Sequence, residues 1–268
     1  MPSRCSPRLT APMSANVRMD LQLRHVEHVM GTAFSFDIRD AQAMRPGALK
    51  DAIGWLHWAD DTFSTYQPGS FVSRLGRGAI RLADCPSEVG DVLESCAALT
   101  AETDGYFTAL PGGRLDPSGF VKGWAIQHAS EMLRAAGSLH HCVNGGGDVQ
   151  TAGEAAPETP WRIGISDPLR RGSLVTVVAG SDIAVATSGT SERGGHVVDP
   201  FTGRPANDLA SLTLVGPALA RTDAYATAAF AMGHAAYDWL EKLAGYEAFA
   251  VLPTGEVWST SGWPLFAG

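Results

Sequence analysis

Hydrophobic periodicity changes character along this chain, and that change limits the fold more than any other sequence feature. Helical spacing marks three stretches of the first half: Leu49, Ile53, Leu56 and Phe63; Val89, Val92, Leu93, Cys96 and Leu99; and Ile126, Ala129, Met132, Leu133 and Ala136. Short apolar runs between turn residues then follow at Cys142-Val143, Trp161–Ile165, Leu174–Val178, Ile183–Thr187, His196–Val198 and Leu212–Val215. Helical spacing returns over Thr222–Met232 and Ala235–Leu243, and a last strand is expected at Ala248–Leu252. One early strand region, His28–Ile38, is broken by Gly31-Thr32. Helices gathered ahead of strands argue for an α+β fold with a mainly antiparallel sheet and packed helices, and against a doubly wound parallel sheet.

The spacing places Ser87 as the N-cap of the second helix and starts the third at Gly123, ending it at Gly137. Residues 1–26 lack periodicity and are expected to form a disordered tail, leaving residues 27–268 as one domain. Met1–Asn16 holds no apolar run of the secretory kind, so a cytoplasmic location is expected, and no later segment is apolar for long enough to span a membrane. A net charge of −8 gives no general attraction to nucleic acid. Any phosphate the chain binds must then be held locally, by amides, a metal or a few side chains. Cys5, Cys85, Cys96 and Cys142 show no zinc-site spacing and are read as free thiols.

Four segments carry possible chemistry. Asp116-Pro-Ser-Gly-Phe-Val-Lys122 sets a carboxylate and an ammonium around a glycine turn at a helix start, where amides attract phosphate oxygens; a capping Asp with a surface Lys reads equally well. Asn144-Gly-Gly-Gly-Asp148 is a bare loop that a ligand could approach, or a hairpin turn, and it fits neither a dinucleotide fingerprint nor a P-loop. Thr187-Ser-Gly189 is followed by His196-Val-Val-Asp199, which supplies a general base near neutral pH or a structural histidine bonded to a turn carboxylate. Asp223 and Thr227 lie four apart and share one helical face; they offer hard oxygen ligands to Mg²⁺, or an Asp that caps its helix beside a Thr bonded back to its own backbone.

Taken in order, these segments resemble the FAD:protein FMN transferases, the ApbE-type flavin transferase family. The residues carrying the resemblance are Met30-Gly-Thr32, Phe63-Ser-Thr-Tyr66 with Ser73-Arg-Leu75, Gly105-Tyr-Phe107, Asp116–Gly123, Asn144–Asp148, Thr187–Gly189, His196–Gly203 and Asp223–Thr227. Their collinearity, from Met30 almost to the C-terminus, is more specific than any one of them. The resemblance implies transfer of FMN from FAD to a Ser/Thr hydroxyl of an acceptor protein, with release of AMP and dependence on Mg²⁺. It implies Asp223 and Thr227 as metal ligands with the Gly119 carbonyl, and His196 as the base that deprotonates the acceptor. Met30, Tyr66, Phe107, Thr108, Asp116, Lys122 and Ser211 are expected to line the FAD site. Thr108 stands where the family usually has aspartate, and Ser70-Phe-Val lacks the acidic residue that often follows that serine. The competing readings are an FAD pyrophosphatase, with water in place of the acceptor, and a flavin-binding module without turnover.

Overall fold

The computed structural model describes residues 22–190 and 197–267. Among these residues ten strands form: β1 (Leu23–Val29), β2 (Thr32–Ile38), β3 (His141–Gly145), β4 (Asp148–Ala152), β5 (Trp161–Ser166), β6 (Leu174–Gly180), β7 (Ala184–Gly189), β8 (Ser211–Gly216), β9 (Glu247–Val251) and β10 (Val257–Ser259). Eight of them make one sheet in the order β1-β2-β3-β4-β7-β8-β9-β10, every neighbouring pair antiparallel, while β5 and β6 pair as a separate ribbon. The helices are α1 (Ala48–Phe63), α2 (Phe71–Gly76), α3 (Ser87–Glu102), α4 (Ser118–Ala135), α5 (Leu219–Met232) and α6 (Ala236–Leu240). The α+β class expected from the periodicity is the class observed.

Alternation along the strands divides the core. On β7, Ala184 and Ala186 join Phe34, Phe36, Val143, Leu212 and Leu214 beneath the helices. Val185 points the other way, into a second cluster with Val149, Ile165, Val178, Val215 and Trp263, so the β5–β6 ribbon covers the opposite face. α5 lies at the centre of the helical layer. Its alanines 220, 224, 226, 228, 229 and 231 are all buried, leaving almost no solvent face, as expected of a helix that is apolar on most sides. Its first amides are capped by side chains of neighbouring elements: Leu219 N donates to Gln150 Oε1 at 2.9 Å and Ala220 N to Gln127 Oε1 at 3.0 Å.

Several boundaries differ from the sequence expectation. Residues 23–26, placed in the tail, pair with β2, and Met30-Gly31 makes a two-residue hairpin turn with φ of +53° and +71°. α4 begins at Ser118, five residues before the expected start, so Gly119 and Lys122 sit in its first two turns. Ser87 is a helical residue of α3, not its cap; Pro86 precedes the helix and the Ser87 hydroxyl donates to Glu88. Of the strand expected at His196–Val198, the described residues show a bridge between Val198 and Pro205, and His196 lies outside the described residues.

α4 and α5 cross closely because residue 123 is glycine. A Cβ there would stand 2.7 Å from the Leu219 carbonyl oxygen and 2.8 Å from Asp223 Cβ, both fixed in the facing helix. Gly123→Ala is therefore expected to destabilise the protein by about 1–3 kcal/mol, read as a lower urea midpoint at unchanged slope.

Candidate active site

The candidate site forms where the start of α4 meets the second and third turns of α5 and the first residue of β4. Asp116 Oδ1 accepts the Ser118 amide at 3.0 Å, closing the turn through Pro117 that launches α4. One residue on, Gly119 faces Thr227: a Cβ on Gly119 would be 3.9 Å from Thr227 Oγ1 and 3.3 Å from the ring of Phe107. Phe107 is only 2% exposed and backs this glycine from α3's side. Asp223, 5% exposed, lies one turn of α5 before Thr227.

Asp223 reaches across to α4. Its Oδ2 accepts the Gly123 amide at 3.1 Å. That amide is the one an α-helix directs at the carbonyl four residues back, here Gly119. Asp223 thus draws on the donor that regular helical geometry assigns to Gly119, which favours the Gly119 carbonyl as a further oxygen ligand. Lys122 Nζ stands 3.7 Å from the same Oδ2 and is ion-paired with Asp148 Oδ2. Asp148 is 1% exposed, and its Oδ1 accepts the Thr187 amide at 3.0 Å. Next to that amide, the Thr187 and Thr213 hydroxyls share a hydrogen bond of 2.9 Å between β7 and β8.

Among the described residues, two buried carboxylates and one lysine give this corner an excess of negative groups, the condition for attracting a cation. Among the described residues no group of three His, Cys, Asp or Glu side chains is placed to hold a metal by itself. What is present is one carboxylate and one hydroxyl a helical turn apart with a backbone carbonyl nearby. That donor set is hard and incomplete, and it fits Mg²⁺, which keeps coordination positions for water and substrate phosphate.

The structure thus brings together Gly119, Lys122, Asp223 and Thr227 of the expected residues, with Phe107 behind them and Asp116 at the helix start. Asp223 is in the second turn of α5 and does not cap it, and in this helix Thr222 bonds back to the backbone, donating to the Ala218 carbonyl at 2.8 Å. Lys122 is a partner of buried carboxylates and not a surface cation. Met30 sits in the β1–β2 turn, its amide donating to Asp60 Oδ2 at 3.2 Å. Tyr66 is 91% exposed beyond the end of α1. The Thr108 hydroxyl is taken up locally by the Leu110 amide at 3.0 Å. Ser211, 4% exposed, pairs with Gly189 at the end of the β7–β8 ladder. His196, the expected base, lies outside the described residues.

Asp148 was not among the expected site residues; the visible signal was a carboxylate directly after the glycine turn that joins two strands. A second unexpected feature is the clamp holding α5 to the end of α3. Arg221 donates to both oxygens of Glu102, at 2.6 and 3.0 Å, and the Tyr225 hydroxyl donates to Glu102 Oε2 at 2.6 Å. The Arg221 bonds hold Glu102 below the ordinary carboxylate range, and burial followed by the Glu102 bond pushes Tyr225 up to about 12. Arg221 and Tyr225 flank Asp223, so the clamp fixes the rotation of α5 that aims Asp223 at α4.

The model of the ApbE family matches residues 108–250, more than half of the chain and nearly all of this site. The chain belongs to the ApbE family. It is 30% identical over 214 residues to the FAD:protein FMN transferase of Rhodobacter capsulatus, covering 75% of this chain and 38% of that protein. To the FAD:protein FMN transferase of Vibrio cholerae it is 30% identical over 145 residues, 50% of this chain and 43% of the relative. The match therefore spans about two-fifths of the length of these curated relatives. Among solved structures, the ApbE protein of Thermotoga maritima superposes with a TM-score of 0.82 at 21% identity, covering 92% of this chain and 100% of that one. The flavin transferase ApbE of Vibrio cholerae does so with a TM-score of 0.80 at 20% identity, covering 92% and 99%. Among the described residues no helix is long and apolar enough to cross a membrane.

Proposed function

We propose that this protein transfers the FMN half of FAD to a serine or threonine hydroxyl of an acceptor protein, releasing AMP. The observation that carries the reading is the convergence of Gly119, Lys122, Asp223 and Thr227 on one negatively charged corner within the region matched by the family. The relatives named above as FAD:protein FMN transferases support it. In the reaction the acceptor oxygen forms a bond to the FMN-side phosphorus, the bond from that phosphorus to the bridging oxygen breaks, and AMP carries the bridging oxygen away. Asp223 and Thr227, with the Gly119 carbonyl, are the residues that hold Mg²⁺, which when bound offsets charge on the diphosphate oxygens. Lys122 adds a second positive charge beside them. Phe107, behind Gly119, keeps that wall apolar and closed to water. Met30, Tyr66, Thr108, Asp116 and Ser211 are assigned to the FAD site on the family resemblance.

His196 is assigned the acceptor's proton on the same resemblance. His196→Ala is expected to slow transfer about 10²- to 10⁴-fold while FAD binding is retained; an unchanged rate would demote this histidine to a structural role. The direct test of the function is incubation with FAD, Mg²⁺ and a Ser/Thr acceptor protein, followed by mass spectrometry for the FMN adduct and chromatography for AMP. Adduct and AMP in equal amounts are expected. Free FMN and AMP without adduct would make the protein a pyrophosphatase, and FAD held intact for hours would make it a binding module.

A further inference from the structure

We propose that Asp148 is a positioning residue that sets the cation affinity of the Asp223–Thr227 corner by giving the Lys122 ammonium a seat away from Asp223. This rests on the reading that Asp223 holds a divalent cation, and it adds a role for a residue outside that ligand set. Lys122 lies between two carboxylates, paired with Asp148 and 3.7 Å from Asp223 Oδ2. A lysine ammonium and a metal ion both seek the same carboxylate oxygen and repel each other at such distances. The lysine must therefore be satisfied elsewhere before a cation can bind tightly at Asp223.

Asp148 is built to be that alternative. It opens β4, opposite Gly145 in the β3–β4 register, and the Thr187 amide of β7 holds its Oδ1 at 3.0 Å, so the carboxylate is fixed from two strands. Its Oδ2 is buried, and among the described residues the Lys122 ammonium is the only donor that reaches it. Lys122, by contrast, is one-quarter exposed, carries its ammonium on a long stem with several rotatable bonds, and lies near both carboxylates. Among the described residues the two carboxylates of this corner outnumber its one lysine, and a lysine seated on Asp148 keeps its charge off the Asp223 oxygen that the cation would take.

Removing the charge of Asp148 without its shape isolates this role. In Asp148→Asn the amide oxygen still accepts from Thr187, so β4 and β7 stay joined, while Lys122 keeps Asp223 as its only carboxylate in the corner. The probe is Mn²⁺ alone, titrated into the full chain at low ionic strength and read by the loss of the free-ion electron paramagnetic resonance signal. Relative to the wild-type protein, Mn²⁺ binding to D148N is expected to weaken on the order of tenfold or more. Adding Lys122→Met restores the wild-type charge count, and the double variant is expected to bind Mn²⁺ to within about threefold of wild type. Equal binding by wild type and D148N overturns the proposal. A double variant as weak as D148N overturns it as well, because the aspartate then acts through strand structure and not through the lysine. Should D148N not fold, Asp148→Ser repeats the comparison with the same two outcomes. Wild-type protein that takes up no Mn²⁺ sinks the metal reading itself, whereas normal wild-type binding with an indifferent D148N removes this inference alone.

Discussion

Asp223→Ala is expected to abolish release of AMP from FAD, lowering turnover about a thousandfold or more at any Mg²⁺ concentration. Asp223 is the one carboxylate that reaches from α5 to the first turns of α4, and no other residue of the matched corner replaces its charge there. Loss of a metal's charge stabilisation amounts to several kcal/mol, and each 1.36 kcal/mol is tenfold in rate. The fold is expected to survive. Alanine is the best helix former, α5 is already rich in buried alanine, and the Gly123 amide released by the change can turn to its ordinary helical acceptor, the Gly119 carbonyl. Circular dichroism should therefore overlay with the wild-type trace while AMP formation, followed by chromatography up to tens of millimolar Mg²⁺, disappears. Turnover equal to wild type at saturating Mg²⁺ would remove Asp223 from the ligand set. Asp223→Asn, which can still accept from Gly123, is expected to lie between the two, separating the ligand role from the hydrogen bond.

How far the sequence reveals this arrangement depends on whether local pattern and tertiary setting agree. They agree on α1, whose buried Ala52, Leu56, Ala59 and Phe63 follow the helical period, and on Asp223 and Thr227, whose four-residue spacing is enough by itself to put them on one face. They disagree at the start of α4. Pro117 and Gly119 look like loop residues, yet proline is favoured at a helix beginning and the glycine is packed tightly against Phe107, so the helix starts earlier than its apolar stripe. β4 is hidden for a different reason. Its sequence Asp-Val-Gln-Thr-Ala is polar, but all five residues are buried because both faces of the sheet are covered there. The polar side chains are consumed by neighbours: Gln150 caps α5, and the Thr151 hydroxyl bonds the Ile183 carbonyl at 3.0 Å. The role of Asp148 is hidden for the same cause, since its partners Lys122 and Thr187 lie 26 and 39 residues away and are assembled only by the fold. At β1 the difficulty is exposure, for an edge strand needs only one side covered and its residues 23–28 carry too few apolar side chains to stand out.

A second large effect is expected from acid, and it traces to a histidine remote from the candidate site. His141, fully buried at the start of β3, hydrogen-bonds Ser130 Oγ of α4 through Nε2 at 2.7 Å and Ser138 Oγ through Nδ1 at 3.0 Å. Ser138 Oγ donates to Asp40 Oδ1 at 2.7 Å, and the other oxygen of Asp40 takes the Leu139 amide at 2.7 Å. With the Ser138 proton directed at Asp40, Ser138 can only accept from His141, so Nδ1 carries the imidazole proton and Ser130 donates to Nε2. The network is therefore satisfied by a neutral ring. Burial, with a smaller contribution from Arg134, drives the His141 pKa down from 6.5 to about 4. Between those two values the unfolded chain is protonated at this histidine and the folded chain is not, so protons favour unfolding. Stability supplied by the neutral imidazole is complete above pH 6.5, falls by about 3 kcal/mol as the pH drops to 4, and loses nothing further from this group below that. His141→Gln, which can bond both serines but cannot titrate, is expected to be less stable at pH 7.5 yet flatter with pH by that same amount. Urea unfolding of the two proteins at half-unit steps from pH 7.5 to 4 gives the difference directly, with the carboxylates common to both cancelling. Parallel stability curves across this window would mean that His141 takes up its proton without leaving the fold.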